Sequence, residues 1–228
     1  MKHTAYLILL YIIVNLLFTN KEINAMGLFS KKYSDNIENL SFDSIQIQKT
    51  SKMMDESQFW TLIDNSLKNT KSQTEQEKYL VNELKKLIPT EIIGFRLRTD
   101  KLLYDTYNPE MWCAAYIMNG GCSDDCFEYF RCWLISRGKD TYYKASKNPD
   151  YLINEINKDL EFYDFESFWY VALDAFKAKT NKELYDYIDY DNFKTRKDFY
   201  PIFEFNWSEE NPESMKAICP DLYNRLWK

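Results

Sequence analysis

Apolar residues along most of this chain recur at helical spacing, and turn signals cut the pattern into helix-length pieces. Met54 and Phe59 bracket Asp55, whose carboxylate suits a helix N-cap with Gln58 at the reciprocal position; Phe59, Ile63 and Leu67 then share one face. Thr74 with Glu77 repeats the capping spacing ahead of an apolar stripe of Leu80, Leu84, Leu87 and Ile88, which Pro89 stops. Thr90 begins a third helix, with Ile92, Ile93, Leu97, Leu102 and Leu103 inward and Arg96, Arg98 and Lys101 facing solvent, until Asn108 and Pro109 interrupt it. Pro109 suits a first helical position, and Met111 to Met118 is apolar on every side, the mark of a buried helix. Asn119, Gly120 and Gly121 close it, because these residues accept the left-handed backbone that ends helices.

Ser123 is a good N-cap for the next helix, and Asp124 and Asp125 in its first turn complement the positive end of the helix dipole. Phe127, Phe130 and Leu134 fall on one face, with Arg137 near the end and Gly138 after it. Further helices are predicted over Pro149 to Leu160 and Phe165 to Ala178, and after Thr180, whose spacing to Glu183 precedes Leu184 and Ile188. Alternation of the strand kind is confined to Phe199 to Phe205. Pro212 and Pro220 open two short terminal helices, the last with Leu222, Tyr223, Leu226 and Trp227. The pattern predicts an all-α fold: a single compact domain of about eight to ten helices with Trp112, Tyr116, Phe127, Phe130 and Leu134 at its centre.

The first 53 residues read differently. Lys2 and His3 precede an apolar run from Ala5 to Phe18, broken by Asn15 and followed by a polar stretch ending at Ala25, which resembles a secretory signal peptide. The run is short for a membrane span, which needs about 20 residues. Residues 1–25 are therefore expected to be a signal-peptide-like or membrane-anchor segment, 26–53 a polar linker and 54–228 the helical domain. If Met1 is the true start the protein is exported or membrane-anchored, and membrane contact is expected only through this segment; a start at Met26 gives a cytoplasmic protein.

Composition narrows the function classes. Aromatic content of 17% with only 5 Gly and 6 Pro fits a packed helical core, and a net charge of -6 spread along the chain argues against a groove for nucleic acid. Acidic, aromatic-rich stretches such as Tyr185 to Asp191 and Trp207 to Glu210 suit a basic protein partner instead. His3 is the only histidine, which excludes Ser-His-Asp and Cys-His sites, HExxH helices and histidine metal ligands from the folded part. Neither a Walker-type loop nor a GxGxxG follows a strand, so no nucleotide cofactor is expected.

The stretch from Asn119 to Gly138 concentrates what candidate chemistry remains. Asn119, Gly120, Gly121, Cys122, Ser123, Asp124, Asp125, Arg131 and Trp133 are the candidate binding residues: backbone amides at a double-glycine turn, a thiol and two carboxylates at a helix mouth, and an arginine. Adjacent aspartates on a helix diverge by about 100 degrees, which weakens a paired-carboxylate mechanism. Arg131 is placed to pair with Asp124 or Glu128, or to hold an anion. Cys113, Cys122, Cys126 and Cys132 lie close in sequence, but Cys126 and Cys132 diverge by about 240 degrees on one helix, against a four-thiolate metal site. In an exported protein a disulfide among Cys113, Cys122 and Cys126 is expected, and the odd total with Cys219 leaves a thiol unpaired within one chain.

Phe59-Trp60 with Leu62-Ile63, the run Trp112 to Tyr116, Asn119 to Asp125, Phe127, Phe130-Arg131 and Trp133 to Ile135 resemble the bacterial family known as domain of unknown function 4240. Tyr143, Ala145, Pro149, the Phe168 to Ala175 helix, Trp207 and Pro220 to Leu222 are similar to its later part. The resemblance spans about Met54 to Lys228 and implies a fold and a focal region around Asn119, but no reaction and no cofactor. Acidity, aromatics and missing catalytic groups then point to a non-catalytic protein-interaction module, inhibitors and immunity-type proteins being examples. The alternative is a small-ligand or enzymatic site at the Asn119–Asp125 turn.

Overall fold

The computed structural model describes residues 46–227. The signal-like segment 1–25 and most of the predicted linker lie outside the described residues. Nine α-helices run through the described part: α1 Glu56–Asn69, α2 Gln73–Leu84, α3 Pro89–Asp105, α4 Pro109–Asn119, α5 Asp124–Ser136, α6 Lys139–Lys147, α7 Val171–Thr180, α8 Pro212–Ile218 and α9 Pro220–Leu226. Tight 3-10 turns at Pro149–Glu155, Glu166–Tyr170, Leu184–Tyr187 and Lys197–Phe199 fill the gaps. The architecture is all-α, and the described residues contain only two isolated bridges, Thr50 with Ile188 and Ser208 with Asn211.

Helix α5 is the hub. It packs on α1, α3, α4 and α6 and on the Glu166–Tyr170 turn, with α2 and α7 beyond α3 on one side and α8 and α9 beyond α4 on the other. Phe127, Phe130, Trp133 and Leu134 are buried along it, and the Trp112 ring of α4 stacks on Phe127 at 4.3 Å. Each such side chain contributes about 1.5–3 kcal/mol by leaving water. Tyr116, predicted at the centre, is only half-buried: its ring lies against Trp207 and Trp227, and its hydroxyl donates to Glu209 at the surface, 2.6 Å away.

Several boundaries follow the caps. Asp55 accepts from Ser57 N and Gln58 N to start α1, Asn108 accepts from Met111 N to start α4, and Ser123 accepts from Cys126 N to start α5. Elsewhere local chemistry overrode the predicted signal. Ser72, not Thr74, caps α2, with the Glu75 carboxylate accepting from Lys71 N; Glu77 is taken instead by the Ser167 hydroxyl. The Pro149 helix stops at Glu155, short of Leu160, and an Asn157 side chain bonded to Asp159 N turns the chain. Thr180 ends α7 rather than starting a helix, because its hydroxyl bonds back to Phe176 O and Asn181 adopts the left-handed conformation. Residues 199–205 pair with no strand among the described residues.

The segment before α1 is docked rather than loose from Ile47 onward. Thr50 exchanges backbone hydrogen bonds with Tyr187 and Asp189, Met54 N donates to Gly94 O at 2.8 Å, and Arg98 donates twice to Met54 O. A Cβ on Gly94 would sit 2.9 Å from Met54 N, so glycine at this point of α3 makes room for that backbone. At the other end of the chain Asp150 accepts from Asp221 N and Leu222 N, capping α9 from a turn far away in sequence.

Candidate functional site

The Asn119–Asp125 turn is built as a joint. Gly120 and Gly121 have φ of 65° and 129°, which favour glycine, and added side chains there would meet open space; backbone conformation, not close approach, selects them. Asn119 accepts from Tyr163 N at 2.8 Å through its side chain and so fixes the loop ahead of the Glu166–Tyr170 turn. The Trp112 indole donates to Cys122 O at 3.2 Å. Cys122 and Cys126 form a disulfide across the first turn of α5, and Ser123, Asp124 and Asp125 are exposed. Among the described residues no group of three or more His, Cys, Asp or Glu is placed to hold a metal ion.

The other two candidates lie beneath. Trp133 is buried, its ring edge-on to Tyr163. Arg131 is 0% exposed and fully engaged: Nη1 donates to Leu103 O at 2.6 Å, Nε to Phe127 O and Nη2 to Glu128 Oε2 at 2.7 Å. The two readings of Arg131 resolve in favour of Glu128. The structure therefore brings Asn119 to Asp125 together at the surface and turns Arg131 and Trp133 away into the core.

Glu128 is buried as well, and its second oxygen accepts from the Tyr200 hydroxyl at 3.1 Å. Tyr200 stacks on Tyr107 at 4.2 Å, and the Arg131 guanidinium lies over both rings. Burial pushes the Tyr200 hydroxyl well above its ordinary range, so it stays protonated and remains a donor. The bond from the half-buried Tyr200 to the buried Glu128 is the anchor of a strap, residues 199–207, laid over α4 and the N-terminal end of α5. Phe203 packs against Tyr107 and Trp112, Phe205 against Trp112, and Trp207 against Tyr116 while its indole donates to Pro109 O at 2.7 Å.

Between these inward anchors the strap presents apolar side chains to water: Phe199 at 43%, Ile202 at 102% and Phe205 at 50% exposure. From Asp198 to Ser214 the chain carries Asp198, Glu204, Glu209, Glu210 and Glu213 and no lysine or arginine. Residues 202–207 make no backbone hydrogen bond to another backbone group among the described residues.

A second ion pair was missed at the sequence level. Arg96, predicted on the solvent face of α3, is 2% exposed and pairs with Asp100 at 2.6 Å. The available signal was the four-residue spacing of the two opposite charges on one helix. Burial pushes the Asp100 carboxyl up, opposed by the Arg96 charge beside it. Cys132 is buried, and burial with Glu128 nearby pushes its thiol up to about 12, far from a reactive thiolate.

Residues 54–178 match the family described as protein of unknown function, DUF4240. This chain belongs to the DUF4240 family. The matched stretch of the DUF4240 protein holds α1 to α6, both buried ion pairs and most of α7, whereas the strap and the two terminal helices lie beyond it. No curated protein and no solved structure matches the chain. No helix among the described residues is long and apolar enough to cross a membrane.

Proposed function

We propose that this DUF4240 protein is a non-catalytic interaction module whose docking face is the strap, and that its partner is a basic protein. One observation supports this above the rest: Phe199, Ile202 and Phe205 are held out into solvent within a rim of carboxylates while Tyr200, Phe203 and Trp207 hold the strap down. Exposed aromatic and aliphatic side chains supply the desolvated centre of an interface, and the acidic rim selects a cationic counterpart and speeds its approach. The open backbone edge of residues 202–207 suits an extended partner segment.

A ligand site made from Cys122, Asp125 and Arg131 finds no such support, because the thiol is in a disulfide and the guanidinium is bonded inside the core. The test is affinity capture from the native organism with wild type, Ile202→Ser/Phe205→Ser and Asp125→Ala side by side. A basic protein retained by wild type, released by raised salt and lost with the strap variant is the expected result. Equal recovery by wild type and the strap variant would refute the docking face, and loss with Asp125→Ala alone would move it to the turn.

A further inference from the structure

A cavity of about 420 Å³ opens beside α3 and borders the start of the strap, and it is built around arginine. Arg96 forms part of its lining. Its Nη2 is held by Asp100 at 2.6 Å, its Nη1 donates to Trp169 O at 2.8 Å, and its plane stacks 3.7 Å from the Trp169 ring centroid. These contacts fix the guanidinium rigidly, yet its Nε is buried with no hydrogen-bond partner. Arg196, across the cavity, repeats the arrangement: its guanidinium lies 4.2 Å over Tyr190, and its Nε is buried without a hydrogen-bond partner, with Asp198 at 3.6 Å, beyond hydrogen-bond length.

The two Nε atoms are enclosed by protein, but the Nη1 and Nη2 of Arg196 have no hydrogen-bond partner among the described residues and its side chain is partly exposed at the cavity, so its fork is free to take an acceptor beside the fixed charge of Arg96. The charge points the same way. Arg96, Arg196 and Lys197 face Asp100 and Asp198 at the cavity, one positive charge in excess, in a chain whose net charge is -6. The Tyr185 and Tyr190 hydroxyls, which line the same space, add neutral donors. The volume falls within the range of about 300–1,000 Å³ usual for small-molecule sites.

We infer that this cavity binds the oxyanion group, carboxylate or phosphate, of a small organic molecule, with the Arg196 guanidinium as its donor fork and Arg96 as a fixed positive charge beside it. The aromatic faces of Trp169 and Tyr190 are already covered by the guanidinium groups, so recognition falls on the oxyanion rather than on a stacked ring. The site adjoins the strap at Phe199, over which the Arg196 guanidinium lies at 4.9 Å, but Ile202 and Phe205 do not line it, so Ile202→Ser/Phe205→Ser is expected to keep oxyanion binding.

The experiment is calorimetric titration of the full chain with inorganic phosphate and, separately, with succinate, at constant ionic strength against chloride. Trp169→Phe serves to assign any change in tryptophan fluorescence to the cavity. Saturable binding of one molecule per chain is expected, weakened about tenfold or more in Arg196→Gln, which loses one charged donor pair. The urea midpoint of Arg196→Gln reports whether the fold is intact, and Arg196→Lys, which keeps the charge without the fork, is expected to recover part of the affinity. Binding of phosphate alone assigns a phosphate ester, and binding of succinate alone or of both assigns a carboxylate or general oxyanion site. Absence of saturable binding by either probe, or binding that Arg196→Gln in a folded protein leaves unchanged, overturns the inference.

Discussion

Replacing Tyr200 by Phe isolates the bond that anchors the strap. The substitution leaves the ring on Tyr107 and removes only the hydroxyl that donates to Glu128 at 3.1 Å. A hydrogen bond to a charged group contributes about 1.5–3 kcal/mol. The separation is long for a hydroxyl on a carboxylate, whose usual range is about 2.5–2.7 Å, and Glu128 keeps Arg131 at 2.7 Å, so the lower figure of about 1.5 kcal/mol applies. The strap touches the core through side chains and has few backbone bonds, so its opening is a local event and the loss falls mainly on that event. The assay is the initial rate of chymotrypsin cleavage within residues 199–207 under native conditions, read by mass spectrometry beside urea denaturation. A tenfold faster cleavage corresponds to about 1.4 kcal/mol. Cleavage unchanged within about twofold while the urea midpoint falls would show that the hydroxyl supports the core and not the strap, and the anchoring argument would be wrong.

Gly94→Ala sets a helix-propensity gain of about 1 kcal/mol against a Cβ placed 2.9 Å from Met54 N, where backbone must move; overpacking of about 1–3 kcal/mol should win. Net destabilisation in urea is expected, and a stabilised variant would show that the 50–54 segment yields freely. For Asp100, burial raises the folded-state pKa, so the folded protein holds a proton that the unfolded chain has already released above about pH 4. Wild type should accordingly lose stability relative to Asp100→Asn as pH rises from about 4; a gain would mean that Arg96 outweighs burial. Thiol titration in denaturant without reductant should find Cys113, Cys132 and Cys219 reactive and Cys122 and Cys126 silent, and five reactive thiols would sink the disulfide.

Much of the helical plan was readable because it is written in local chemistry. Asp55, Asn108 and Ser123 cap helices wherever those helices later pack, and the run Met111 to Met118 of α4 is buried at every position except Tyr116. Where two local signals competed, spacing alone did not choose: Ser72 and Thr74 both offer a capping box, and only the bond from Ser167 to Glu77 withdraws the second. Arg96 was misplaced for a different reason. A charge on a helix reads as solvent-facing until the Trp169 carbonyl and ring, which arrive from distant sequence, cover it. The Asn119 turn was legible as a turn from its two glycines, but Arg131 shares its sequence neighbourhood without sharing its surface, since helical rotation carries it inward to Leu103. The strap left only a weak alternation as a trace, because its extended form is set by anchors on α4 and α5 and not by pairing with a strand.

The remote cap that Asp150 places on α9 reaches further than that one helix. Seven residues are too few to stay helical unaided, so α9 forms only once the middle of the chain has already settled. With α8 and α9 secured behind it and Tyr200 secured ahead, the stretch between is a bowstring tied at both ends. Its freedom is given up during folding, and in the proposed docking role a partner would meet a surface already in shape, keeping for binding what a slack tail would have spent on becoming ordered.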